Sequence, residues 1–178
     1  MATVASNVTV ATTGDFSYAP VGTALPTSPS AALNVAFLSV GYLSEDGVVL
    51  AQAESSTKIK AFQNADVVRV VQTEHEVTAD FTMLETNANT LAIFFKGNYV
   101  SGVGQIKAGI APHKAWVLHE IDGANLIRTV IPDGQVIDIG DLTLKNGEPV
   151  GYKISIECYP DASGVKAYMY FATATVSA

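Results

Sequence analysis

At 178 residues, 48% hydrophobic and 15% charged, the chain is long enough for one domain with a real core and too apolar to remain disordered. Its net charge of −7 excludes the basic footprint with which proteins grip nucleic acid. No apolar run approaches the ~18 residues of a membrane span, no basic-then-apolar leader is expected at the N-terminus, and a lone cysteine, Cys158, excludes an internal disulfide.

Residues 1–14, rich in Thr, Ala, Ser and Val, read as an N-terminal arm able to pair as a strand. "DFSYAPVGT" reads as a short strand with Phe16 and Tyr18 on one face and Pro20 near its end. "LPTSPSAALNVAFLSVGY" carries a helix start, with Ser28 as cap, Pro29 at the first helical position and Gly41 as the stop. Asp46-Gly47 marks a turn, followed by a strand over Val48–Glu54. Ser55–Asp66 has weak periodicity, many polar residues and two lysines, and is expected to be a long functional loop.

A long strand is predicted from Val67 to Leu84. Its alternation places Thr73, His75, Val77, Ala79, Phe81 and Met83 on one face. Glu74, Glu76, Thr78, Asp80 and Thr82 fall on the other. The best helix follows: Asn87 is a good N-cap, Ala88, Leu91, Ala92 and Phe95 recur at helical spacing, Phe94 widens the apolar stripe, and Gly97 fits the C′ position. Then "KAWVLHEI" and "NLIRTVI" flank a turn at Asp122-Gly123, and "IPDGQVIDIGDL" holds a second Asp-Gly. "GYKISIEC" alternates Tyr152, Ile154, Ile156 and Cys158 against Lys153, Ser155 and Glu157, "PDASG" turns the chain, and "VKAYMYFATATV" closes it. The expected fold is mainly β, a sandwich or partial barrel with a flanking helix, in a single domain over residues 1–178.

"QTEHEVTAD" crowds Glu74, Glu76 and Asp80 around His75, which raises the question of a reactive centre. A zinc-protease pattern needs a second histidine four residues on, on a helix, and Ala79 stands there on a strand. His113 and His119 have no metal-ligand spacing to His75. Glu74 and Glu76, ~7 Å apart as i, i+2 neighbours on a strand, match a glycosidase pair in distance. Such pairs also occur on any solvated sheet face. No G-x-S-x-G elbow is present, and Lys107 stands where "GVGQIKAG" needs a third glycine for a dinucleotide loop. Cys158, in an alternating apolar run, reads as a buried structural thiol. No catalysis, metal or cofactor is expected. What remains is a row of acidic and hydroxyl side chains, which Gln52 and Glu54 would extend if the preceding strand pairs with this one.

The extended stretches "APVGTALPTSPSAALNVAFLSVGYLSEDGV", "IKAFQNADVVRVVQTEHEVTADFTMLETN", "AWVLHEIDGANLIRTVIPDGQVIDIGDL" and "GYKISIECYPDASGVKAYMYF", in this order, carry a family resemblance from about Phe16 to Phe171. The chain resembles the major tail protein, or tail tube protein, of long non-contractile-tailed bacteriophages, in the form common among phages of actinobacteria. The resemblance implies a virion structural protein, made in the host cytoplasm, that assembles with itself into hexameric rings stacked as a hollow tail tube. It implies that Glu74, Glu76, Thr78, Asp80, Gln52 and Glu54 line a lumen through which double-stranded DNA passes unbound. The Asp122-Gly123 hairpin is the candidate for further lumen strands, and Arg69 is placed away from the lumen or at a subunit contact. The loop 55–66, with Lys58, Lys60, Phe62 and Gln63, would reach the neighbouring ring, while Leu91, Ala92, Phe94 and Phe95 pack the flanking helix. Tape measure, tail terminator and distal tail proteins are the implied partners. The alternative class is a β-sandwich module binding carbohydrate or protein, which exposed strand aromatics would favour; Trp116 and the tyrosines alternate with aliphatics instead.

Overall fold

The computed structural model describes residues 8–123 and 125–172. Among them the order is β1 (Thr13–Pro20), β2 (Leu38–Ser39), β3 (Leu43–Lys60), β4 (Val67–Met83), α1 (Ala88–Phe94), β5 (Tyr99–Val100), β6 (Val103–Gly104), β7 (Lys114–Asp122), β8 (Asn125–Ile139), β9 (Tyr152–Tyr159) and β10 (Tyr168–Ala172). Apart from the small β5–β6 hairpin, the strands form one antiparallel sheet of order β2-β1-β7-β8-β9-β4-β3, with β10 added beside β8. The first seven residues of the predicted N-terminal arm lie outside the described residues; beyond them Val10 donates its N–H to the Asp122 carboxylate and Thr12 to the Ile121 carbonyl, so the chain enters alongside β7.

β8 is the corner of the sheet. Its first part pairs with β7 up to Gly134, and Asp133–Ile139 pairs with β9. On either side the sheet folds over, so that Phe16 of β1 meets Phe81 of β4 edge-on at 4.6 Å, and Trp116 of β7 reaches the same ring at 6.1 Å. The core is this aromatic contact extended by the alternating buried residues of β4 (Val77, Ala79, Phe81, Met83) and β9 (Tyr152, Ile154, Ile156, Cys158). The mainly β architecture with one flanking helix is therefore as expected, but as an open sheet folded on itself and not closed into a barrel. Burial pushes the Cys158 thiol up to about 12, the state of an inert structural cysteine.

α1 begins where the sequence places it: the Asn87 side chain accepts from the Thr90 N–H at 3.0 Å. Its buried face differs from the predicted stripe. Thr90, Ile93 and Phe94 are buried, while Leu91 and Phe95 pack only partly and Ala92 is half-exposed. The Thr90 hydroxyl donates to the Val40 carbonyl, which turns the helix about its axis so that Ile93 enters the core. The helix stops one residue earlier than Gly97 implied, with Lys96 (φ 52°) and Gly97 (φ 83°) both left-handed.

Three expectations are corrected. The helix predicted after Ser28 does not form. The carbonyls of Ser28 and Ala31 accept instead from the buried Arg128 guanidinium of β8, and Val35 is fully exposed, so a helix here would have no apolar face to bury. Asp133-Gly134 is not a turn but part of β8. Trp116 donates its indole N–H to the Gly134 carbonyl and covers this glycine so closely that a Cβ would lie 2.8 Å from the ring. Asp46-Gly47 is likewise a bulge inside β3, where the register on β4 jumps between Leu43/Met83 and Val48/Phe81. β3 thus starts at Leu43, not Val48, and ends at Lys60, not Glu54.

Two outcomes follow from this packing. Phe81→Ala is expected to lower unfolding free energy by about 3–5 kcal/mol in urea titrations, the range for deleting a buried aromatic ring. His119 accepts a hydrogen bond from Arg128 at 3.1 Å, and burial first, then the Arg128 charge, hold its pKa below 6.5 against a smaller opposing pull from Asp15. Between the lowered value and 6.5 the folded state carries fewer protons than the unfolded chain, so this contribution is complete above about pH 6.5 and is lost as pH falls. The urea midpoint is expected to drop between pH 7.5 and 5.5, and to drop less in His119→Gln.

Candidate functional site

The register of β3 on β4 resolves the acidic stretch. Ser55 faces Glu74, Ala53 faces Glu76, Ala51 faces Thr78 and Val49 faces Asp80. Residues directly opposite in a sheet share a face, so the acids sit among small and hydroxyl side chains. Gln52 and Glu54 do not extend this row. They pair with Val77 and His75 on the other face, and Glu54 approaches His75 at 3.8 Å. The sequence reading supposed a strand pair whose phase was unknown; the observed register is one residue away from the phase that would have aligned these acids with Glu74.

β9 continues the acidic face. Thr78 pairs with Glu157, Asp80 with Ser155 and Thr82 with Lys153. On the far side β8 adds Asp138 opposite Ser155 and Gln135 opposite Glu157. Five carboxylates, Glu74, Glu76, Asp80, Asp138 and Glu157, therefore share one side of β3-β4-β9-β8; from Glu74 to Thr82 of β4 and the residues paired with them the cation on that side is Lys153, while Lys58 and Arg69 lie farther out along the β3–β4 hairpin. Glu74, Glu76 and Asp138 are exposed, and Asp80 and Glu157 half-exposed. At the border Asp133 is held by His113 at 2.6 Å. Tyr159, which donates to Glu157 at 3.2 Å, has its pKa raised by desolvation and then by the Glu157 charge, so it stays a neutral hydroxyl on that face.

Asp138 and Glu157 were missed as members of the row. The alternation of "GYKISIEC" puts Glu157 on the outward side, but only the pairing of β4 with β9 brings it beside Thr78. The Asp122-Gly123 end of β7 and β8, the sequence candidate for adjoining strands, pairs instead with β1 and β10 in the other half of the sheet. The three histidines are apart: His75 beside Glu54, His113 on Asp133, His119 on Arg128.

The predicted loop Ser55–Asp66 is largely strand. Ser55–Lys60 pairs with Val67–Glu74, leaving a turn over residues 61–66. Lys58 and Lys60 thus lie on β3, and Phe62 and Gln63 in the turn. The turn is closed by Ala61 N–H to the Asp66 carbonyl at 2.7 Å, with Asn64 and Ala65 left-handed at φ 56° and 54°. Arg69 pairs with Ile59. β4 meets β9 only over Thr78–Met83, so beyond Val77 the hairpin is a ribbon of two strands exposed on both faces. From Gln52 to Lys60 it extends roughly 27 Å at ~3.3 Å per residue. Ile59, Phe62, Val67, Val68 and Val70 are all exposed on it. An isolated two-stranded ribbon is marginal in water.

Two backbone edges of the four strands β3-β4-β9-β8 are also open among the described residues. β3 has no strand on its outer side, and Gln135–Ile139 of β8 pairs only with β9. These are the two margins of the four strands that carry the acidic face.

Among solved structures, a chain in the cryo-EM structure of the anti-feeding prophage (AFP) baseplate, 6-fold symmetrised, is similar at a TM-score of 0.52 and 11% identity, covering 95% of this chain and 97% of that one. That likeness concerns the fold alone. A chain of the virion of a native gene transfer agent particle gives a TM-score of 0.41 at 10% identity over 79% of this chain and 92% of its own. One from the tail of the empty gene transfer agent particle gives 0.42 at 10% over 89% and 94%. Among curated proteins none matches by sequence. The family described as phage tail tube protein matches residues 1–177, and the chain belongs to that family as a structural protein of the bacteriophage virion tail.

Proposed function

We propose that six copies join edge to edge into a ring, that rings stack into a hollow tube, and that the acidic face of β3-β4-β9-β8 lines its lumen. The observation that carries this reading is the coincidence of that face with two open edges. A sheet that is acidic on one side, packs on the core behind Val77–Met83 and is unpaired at both margins offers edges that identical copies can join into a larger barrel. The six-fold symmetrisation of the structurally similar baseplate supports the copy number. Four strands from each of six subunits make a barrel of about 24 strands; at ~4.8 Å spacing and ~40° tilt its backbone diameter is about 48 Å. That leaves a hydrated gap around a DNA duplex.

The wall chemistry suits passage. Cationic side chains would release counterions from phosphates and hold the DNA in place. Carboxylates repel it and keep water between. Lys153 sits on β9, directly beside β4, between Thr82 and the Gly140 end of β8, where Asp80 and Asp138 outnumber it. The role is non-enzymatic and needs no cofactor. The exposed apolar tip of the hairpin serves the contact between rings, in a tail of the long non-contractile kind. Tape measure protein inside the tube, and tail terminator and distal tail proteins at its ends, are the partners.

Glu74→Lys with Glu76→Lys tests the lumen. Virions carrying it are expected to assemble normal tails and to eject DNA about tenfold more slowly or worse, with the delay relieved by added salt. Normal tails with unchanged ejection would count against an inward acidic face.

A further inference from the structure

The hairpin tip and an apolar groove beside α1 occupy opposite ends of the same strand. Phe62, in the turn before β4, is fully exposed. At the other end of β4, Met83 pairs with Tyr152, whose ring packs edge-on against Phe94 at 5.1 Å. Around Phe94 opens a groove of about 400 Å³, lined by Phe94, Phe95, Ile106 and Leu142, with Lys96 and Lys107 at its rim. Its wall is set: Gly104 of β6 lies so close to Phe95 that a Cβ would fall 2.3 Å from the ring. Yet Ile106 is 94% exposed, an apolar side chain over an apolar groove with nothing upon it.

We propose that this groove receives Phe62 of a second copy of the chain in the adjacent ring. The inference rests on the stacked tube of the preceding section and names the acceptor surface that stacking uses. Three features favour this occupant. The tip and groove lie at opposite ends of β4, so with strands tilted ~40° to the tube axis the tip of one copy is directed toward one neighbouring ring and its groove toward the other. The contact is heterologous, does not close on itself and extends as a filament. The volume accommodates a phenyl ring, whose burial removes ~150–250 Å² from water. The flanking charges can be matched: Lys60 and Asp66 bound the turn that carries Phe62, and Asp141, Lys96 and Lys107 line the groove.

Intermolecular cross-linking in assembled tubes tests the pairing. A Gln63→Cys, Gln105→Cys double variant, which keeps Phe62 and Ile106 and places an exposed thiol beside each, is expected to give a ladder of covalent oligomers when treated with a short bismaleimide. The native Cys158 is buried and does not compete. A control pairing Gln63→Cys with Val35→Cys, fully exposed but in the segment after β1, is expected to give none. Tubes without a ladder at 63/105, or with an equal ladder in the control, would overturn the groove assignment and leave the tube intact. Absence of tubes from the wild-type protein by electron microscopy would overturn ring stacking and this proposal with it. As a second measurement, Ile106→Asp and Phe62→Asp are each expected to halt assembly at single rings, whereas full-length tubes from either would contradict the contact.

Discussion

The unpaired backbone of β3 is the constraint on which the rest of this structure depends. Eighteen residues of strand present N–H and C=O groups on one side with no strand to receive them, and buried or paired backbone is the rule in folded proteins. Monomeric proteins blunt such edges with short strands, lysines or bulges. Here the edge is long and its register unbroken from Val48 to Ser55; the irregularities at Leu43/Val48, Ser55/Ser56 and Ile59/Lys60 and the lysines Lys58 and Lys60 lie outside that stretch, and the inner partner β4 is itself unsupported beyond Val77. In the proposed tube such a subunit is completed by its neighbours, a reading that fits its membership of the tail tube family.

Electrostatics then separates the two sides of that sheet. Side chains at i and i+2 on a strand stand ~7 Å apart, inside the ~8 Å screening length of physiological salt, so in the proposed tube Glu74 and Glu76 would act together on a passing phosphate. Glu157 and Asp138 extend the same sign across two more strands. On the opposite side the same strands bury Phe81, Ile154 and Ile156. One alternation thus supplies both the core and, in the proposed tube, the repelling wall. It also explains why His75 is no partner to the acids that flank it in sequence: it faces Glu54 across the other side.

Legibility in the sequence followed burial. Where one face is buried, period-two alternation is strong, and β4, β9 and the cap of α1 were readable from residues alone. Where neither face is buried, the pattern vanishes. Ser55–Lys60 looked like a loop because a ribbon solvated on both sides has no reason to alternate, although its hydroxyl and β-branched residues are compatible with strand. The false helix after Ser28 had local signals, but a buried arginine from β8, distant in sequence, claimed the carbonyls. Register was the other hidden quantity. Gln52 and Glu54 were assigned beside Glu74 on strand pairing alone, and a one-residue difference in phase sent them to the opposite face. Asp138 could not be placed at all without knowing that β8 turns the corner of the sheet.

A reconstruction of the assembled tail, at a detail that shows side chains, tests the central claim most directly. The account predicts β3 joined along its outer edge to Gln135–Ile139 of the neighbouring subunit's β8, with Glu74, Glu76, Asp80, Asp138 and Glu157 pointing at the tube axis. Those carboxylates on the outer surface, or paired with lysines between subunits, would contradict it.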